Sequence, residues 1–326
     1  MIYCIIIVLL IITLSAPLRL PQTNQYNKQT FKLTMTVSYP TKINQVVSKM
    51  TATTQKALQS RQSRIEIELP PGVEFGVEAV KGKSKSFADM SPSDRIKKSN
   101  REAARLFTEM FKIIASSTVC MFPTEDEASL ARNIWGSTFG GQVLAIDAVA
   151  TKGATNLRSR RFSIQEQEAA LLGSDGVYVP DGTEVLILVG PRAKDMKKVR
   201  KIHEKLGQDT LIILLNGRAT ATQTIIKKNL EKSNEEADKS TDWISEEFIS
   251  VFNYAPPNLN ARAFLERELL LYHEIGDKWY IAEKDKDQKS GISRLVGLTS
   301  SGFKTIWEGD NRPNDLEIEN ILQSSS

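Results

Sequence analysis

The chain has 326 residues, 40% hydrophobic and 25% charged, enough to bury a real core in one large domain or two small ones. Its net charge of +4 is loaded at the front: Met1 to Ile65 carries eight basic residues and no acid, leaving 35 basic against 39 acidic residues on the rest. A nucleic-acid binder needs its positive charge on the folded part, so no nucleic-acid partner is expected; two cysteines, Cys4 and Cys120, build neither a disulfide framework nor a Cys-based zinc site.

Ile2 to Leu14 is an apolar run of signal-peptide length, shorter than the ~20 residues of a membrane span. Ser15 and Ala16 follow as small residues, but no Lys or Arg precedes the run, so a signal-anchor also fits. Residues 17–37 are rich in Thr, Gln and Asn, carry Arg19, Lys28 and Lys32 and lack acid, the composition of a transit peptide. A signal-like segment (1–16) before a transit-like one (17–37) has the form of a bipartite leader into a plastid enclosed by extra membranes. A secretory signal before a spacer is the alternative. The mature chain, read as a single α/β domain over 38–326, shows no further segment that would span a membrane.

In chain order, Thr41 to Ser60 places Ile43, Val46, Val47, Met50 and Ala57 near helical spacing, with Thr41 as a cap. Arg64 to Leu69 alternates charge and hydrophobe, which predicts a half-buried strand stopped by Pro70-Pro71-Gly72. Lys81 to Ser99 reads as a polar loop with a cap at Ser91 or Ser93, and Arg101 to Ala115 as an amphipathic helix. Next come a short apolar strand, Thr118 to Phe122, a helix from Glu125 to Trp135 capped by Thr124 with Glu127, and a strand from Val143 to Val149. Glu184 to Val189 and Thr210 to Leu215 are apolar strands on either side of a charged helix, Ala193 to Leu206, closed by Gly207. Phe248 to Tyr254 predicts a strand. Glu268 to Tyr272 and Lys278 to Ala282 predict a hairpin around Ile275-Gly276-Asp277, and Pro313 to Leu322 a last short helix. Asn229 to Asp242 is charged and reads as an internal linker or surface insertion, and the charged run from Glu283 to Lys289 as a solvated loop. Continuous apolar strands separated by helices predict an α/β fold: a mostly parallel sheet with helices on both faces and an antiparallel hairpin near the C-terminus.

Residues that could carry chemistry are few. The turn Gly190-Pro191-Arg192 ends a parallel strand, where open α/β sheets bind ligands, and Arg192 with the next helix could meet an anion. Asn216, Gly217 and Arg218 follow the neighbouring strand and, in a parallel sheet, fall on the same sheet edge. Against this, no G-x-G-x-x-G or P-loop motif occurs, and Pro191 removes a donor, so an ordinary tight turn serves as well. Gly136 to Gly141 has the glycines of an anion cradle, or of a plain link. His203 and His273 lack ligand spacing, and no G-x-S-x-G elbow is present. No metal site and no cofactor motif is found, and no catalytic residue is identified. Trp279 and Tyr280 on the hairpin are candidates for a partner interface or for the core.

Several stretches in order resemble an uncharacterised domain family of cyanobacterial and plastid proteins typified by the plant Low Photosystem II Accumulation proteins, and found also as an extension on a chloroplast adenylate kinase. They are Tyr39-Pro40 with its helix, RIEIELPP (64–71), VCMFPTEDEASLARNIWG (119–136), VLILVGP (185–191), FISVFNYAPP (248–257), Trp279-Tyr280, and NRPNDLEIENIL (311–322), spanning residues 39–322. The resemblance implies a plastid protein of the stroma or thylakoid surface, a role in photosystem II biogenesis, and thylakoid or photosystem II proteins as partners; it carries over no catalytic residue. The expectation is a non-enzymatic assembly factor, with a nucleotide- or small-molecule-binding enzyme domain of unknown reaction as the alternative.

Overall fold

The computed structural model describes residues 37–78, 86–147, 178–217, 242–257, 267–284 and 302–324. The leader, Arg218 and most of the two charged stretches lie outside them.

The cap of helix α1 (Ile43–Gln59) falls one residue later than the one read from the sequence. Lys42 is the N-cap residue, and the Gln45 side chain turns back to accept from the backbone N–H groups of Thr41 (2.8 Å) and Lys42 (3.2 Å). Strand β1 (Arg64–Glu68) follows. Helix α2 (Pro92–Met110) reaches back into the stretch read as a loop, because Ser91 accepts from the Asp94 N–H at 3.1 Å and Pro92 occupies the first turn, where its missing N–H costs nothing. Strand β2 (Thr118–Phe122) leads through the Thr124 cap, which accepts from Glu127 N–H at 3.3 Å, into helix α3 (Glu125–Trp135). Three acidic residues in the first turn of α3 complement its dipole. Strand β3 (Gln142–Ala145), strand β4 (Val185–Val189), helix α4 (Met196–Leu206) and strand β5 (Leu211–Leu215) complete the first half. Gly207 ends α4 at φ +62°, a conformation that costs glycine little.

The second half holds the short helix α5 (Asp242–Glu247), strands β6 (Ile249–Ala255), β7 (Leu269–Glu274), β8 (Trp279–Lys284) and β9 (Phe303–Gly309), and helix α6 (Asp315–Ser324). The hairpin is present as read, and β9, which the sequence did not announce, adds to it.

The nine strands of the described residues form one sheet in the order β3-β2-β4-β5-β1-β6-β7-β8-β9. The first six are parallel and the last three antiparallel. Apolar side chains alternate between two faces. Helices α1, α2 and α3 cover one face through Val46, Met50, Phe107 and Trp135, over Ile65, Ile67, Phe122, Ile187 and Ile213. Helices α4 and α5 cover the other through Val199, Ile202 and Ile244, over Val119, Leu186 and Ile212. Farther along that second face a separate small core forms where Ile318 and Leu322 of α6 meet Leu269, Leu271, Trp279 and Ile281. The β2–α3–β3 connection winds one way on the first face and β4–α4–β5 the opposite way on the second. Both crossovers therefore have one hand, as the sterics of twisted sheets require.

Candidate functional site

Because β2 leads toward one end of the sheet and β4 toward the other, the carboxyl ends of these adjacent strands form the crevice where doubly wound sheets bind ligands. Arg192 stands in it. Its guanidinium donates to the Pro123 carbonyl (3.2 Å), to Asp147 (2.8 Å) and to Asp195 (2.8 Å), and its backbone N–H donates to the same Asp195 carboxylate (2.8 Å). Asp195 is buried, and its side chain chiefly raises the Arg192 pKa. Asp147 also receives Lys198 at 3.1 Å and Lys194 at 3.4 Å. Desolvation pulls its carboxyl upward, but Lys198, Arg192 and Lys194 together hold it below the ordinary value. Three cations thus converge on one carboxylate of the chain itself, in the position an anionic ligand would take.

Gly190 and Gly217 do fall on one sheet edge, as the parallel arrangement predicts. Gly190 adopts φ +53° and donates its N–H to the Leu215 carbonyl at 2.7 Å. Between them Asn216, also left-handed at φ +51°, accepts from the Leu69 N–H and donates to Asn100, each at 2.7 Å. A Cβ on Gly190 would meet the Asn100 amide at 2.7 Å. The two glycines therefore belong to a stitch that ties the ends of β1, β4 and β5 to α2. Asn216 was read with Gly217 at this edge; Asn100 was missed, because nothing local in α2 marks it as the partner of a distant turn.

The glycine-rich stretch 136–141 is a tight packing link. A Cβ at Gly141 would overlap the carbonyl oxygens of Thr118 and Ala115 and the ring of Phe139. It borders a cavity of about 310 Å³ with Arg132, Trp135 and Gln142; another of about 420 Å³ lies by Tyr39, Asn44 and Lys49 at the start of α1.

Trp279 and Tyr280 are 5% and 6% exposed and point to opposite faces of the sheet. Trp279 stacks flat on His273 (4.3 Å between centroids, 4° between planes) under the Arg312 guanidinium, and the Tyr280 hydroxyl donates to Asp277. Of the two places read for these rings, a partner interface or the core, both take the core, each filling the space between the hairpin and its cover.

The larger departure from the sequence is at β1, where every residue is buried. Ile65 and Ile67 join the first-face core, while Arg64, Glu66 and Glu68 point into the second face. Arg64 donates to the carbonyls of Gly207 and Thr210, closing the end of α4. In register across the neighbouring strands lie Ser250 opposite Glu66, Asn253 opposite Glu68, His273 opposite Asn253 and Trp279 opposite His273. A polar row thus crosses three strands, β1, β6 and β7, and ends against Trp279 of the smaller apolar core. Glu66 is 4% and Asn253 1% exposed, and Arg312 approaches Glu66 at 3.4 Å. Burial raises the Glu66 carboxyl above its usual value, with Arg312 opposing, and burial lowers the His273 imidazole. Glu66 Oε1, Ser250 Oγ and Asn253 Oδ1 are buried with no hydrogen-bond partner. Among the described residues no group of three or more His, Cys, Asp or Glu is arranged to hold a metal ion, and no helix is long and apolar enough to cross a membrane.

A family model described as a domain of unknown function (DUF1995) matches residues 40–320. No curated protein and no solved structure is significantly similar to the chain.

Proposed function

We propose that this chain, which belongs to the DUF1995 family of domains of unknown function, is a non-enzymatic auxiliary factor in photosystem II assembly or thylakoid protein biogenesis. It works at the stroma or thylakoid surface of a plastid reached through the bipartite leader. The observation that carries this reading is the ordered set of stretches over residues 39–322 that resemble the Low Photosystem II Accumulation proteins. The switch-point crevice lends support. Arg192, the residue best placed to grip an anionic substrate, is already held by Asp195 and Asp147.

The test is affinity purification of the tagged protein from plastid-containing cells, with bound proteins identified by mass spectrometry. Photosystem II subunits or thylakoid translocation components should be enriched over a mock purification. Recovery of soluble metabolic enzymes alone, or a fluorescent fusion confined to the endoplasmic reticulum, would overturn the assembly reading.

The convergence of Arg192, Lys194 and Lys198 at the switch point favours a second reading, a nucleotide- or small-molecule-binding domain. Saturable nucleotide binding that Arg192→Ala weakens would establish that reading instead; nucleotide binding unaffected by that substitution would remove this site from it.

A further inference from the structure

Strand β3 ends the sheet on its side, so its backbone pairs with β2 along one edge and faces outward along the other. Ile146 N–H donates to the Phe122 carbonyl at 2.7 Å, and alternate residues of a strand direct their backbone groups the same way. Gln142 and Leu144 therefore face β2, while Val143 and Ala145 face the free edge. In keeping with this, the Arg132 guanidinium reaches round from α3 and donates to the Val143 carbonyl at 2.8 Å. No described residue answers the Val143 N–H or the N–H and C=O of Ala145. A charge is a common way to blunt a sheet edge, but Arg132 covers only one carbonyl of this one.

The cavity of about 310 Å³ lies along that edge. Gln142, Val143 and Leu144 line it in succession, although successive side chains of a strand point to opposite faces. A space that touches all three meets the backbone edge itself, where a further strand would run. Trp135 and Phe139 wall it, edge to face with centroids 5.6 Å apart, and leave room for an apolar side chain. Charge selects the occupant. Helix α3 starts at the carboxyl end of β2, beside that of β3, and its first turn carries Glu125, Asp126 and Glu127 against the single cation Arg132. Arg192, Lys194 and Lys198 belong to the turn and helix of the other face and converge on Asp147.

We propose that the free edge of β3 is a docking site for an extended segment of another protein, apolar at its centre and basic beside the first turn of α3, which adds to the sheet as a further strand. A backbone N–H of the segment takes the Val143 carbonyl from Arg132, its other groups pair with Val143 N–H and Ala145, and one apolar side chain enters the cavity. The site is independent of the assembly reading.

Fluorescence anisotropy of the full chain with a labelled peptide, Lys-Thr-Val-Phe-Val-Thr-Lys, tests it, alongside hydrogen exchange read by mass spectrometry. A second peptide has its five central amides N-methylated, which removes the strand donors, and a third has Glu at both ends. The first should bind saturably and slow exchange over Gln142–Ala145. N-methylation should weaken binding by about tenfold or more, and the acidic ends several-fold. Val143→Pro, which removes an N–H at an edge where proline is tolerated, should weaken it by about tenfold. If that variant does not fold, the N-methylated peptide decides. Absence of saturable binding, unchanged exchange over Gln142–Ala145, or equal binding of the N-methylated or acidic peptide would overturn the site. Self-association of the chain that protects the same amides, in place of peptide binding, would give the edge to a second copy and overturn it as well.

Discussion

At Asn216 the backbone turns through φ +51° while the side chain serves two elements at once, accepting from Leu69 N–H and donating to Asn100. Asn tolerates this conformation better than other non-glycine residues. Asn216→Ala removes both bonds and orphans a donor at the end of β1, so it should cost about 2–3 kcal/mol, read as a lower urea midpoint at unchanged slope. Asn216→Gly, which relieves the backbone but not the lost bonds, should recover only part of the loss. At Glu66 the argument concerns protons. Its folded pKa lies above the unfolded value of about 4.3, so the folded chain holds a proton that the unfolded chain has released. That contribution to stability is full below the unfolded value and is lost as pH rises through the folded one. Glu66→Gln abolishes the dependence. Its urea midpoint should therefore gain on the unsubstituted protein as pH rises above the unfolded value of about 4.3, and parallel pH profiles would mean that Glu66 ionises as freely in the fold as out of it.

The elements were legible in the sequence wherever one apolar period and one boundary signal coincided. Thr124 with Glu127 marks α3, Gly207 ends α4, and Ile275-Gly276-Asp277 joins β7 to β8. Strand β1 was found but its environment was misread, because alternation of charge and hydrophobe is also what a strand shows when its second face meets buried polar partners. Arg64 answers carbonyls and Glu66 answers Arg312, and neither partner is near in sequence. Strand β9 was missed because Lys304, Thr305 and Glu308 keep it half-solvated at the sheet edge, where no apolar run is needed. The candidate site was legible at Gly190, Arg192 and Gly217, but not at Asp195, three residues on from Arg192, or at Asp147 and Asn100, which reach it from elsewhere in the chain; the row on the second face depends on register among strands, which no local pattern announces. At the opposite edge, β3 depends on Gly141, since a side chain there would strike the carbonyls of Thr118 and Ala115. Gly141→Ala should lower stability by roughly 1–3 kcal/mol through displacement of β3, and thermal unfolding followed by circular dichroism would register it. An unchanged melting temperature would mean that β3 shifts without loss.

On the scale of the molecule, protection should follow position in the sheet. Strands β4, β5 and β1 are fully buried and flanked on both sides, whereas β3 and β9 are edges. Hydrogen exchange read by mass spectrometry should show the slowest amides in Val185–Val189 and Leu211–Leu215 and the fastest strand amides in Phe303–Gly309; a uniform rate would argue that the sheet opens only as a whole. The strand order also imposes a schedule. Strand β1 is made first but sits between β5 and β6, pairing with Ile212 and Ile213 on one side and with Ile249 and Ser250 on the other. A chain that is synthesised, or drawn through a membrane pore, amino end first must keep Arg64–Glu68 unpaired while well over a hundred further residues arrive. Its sheet cannot close early and jam the passage. In that interval the same exposed strand is what a chaperone would find to hold.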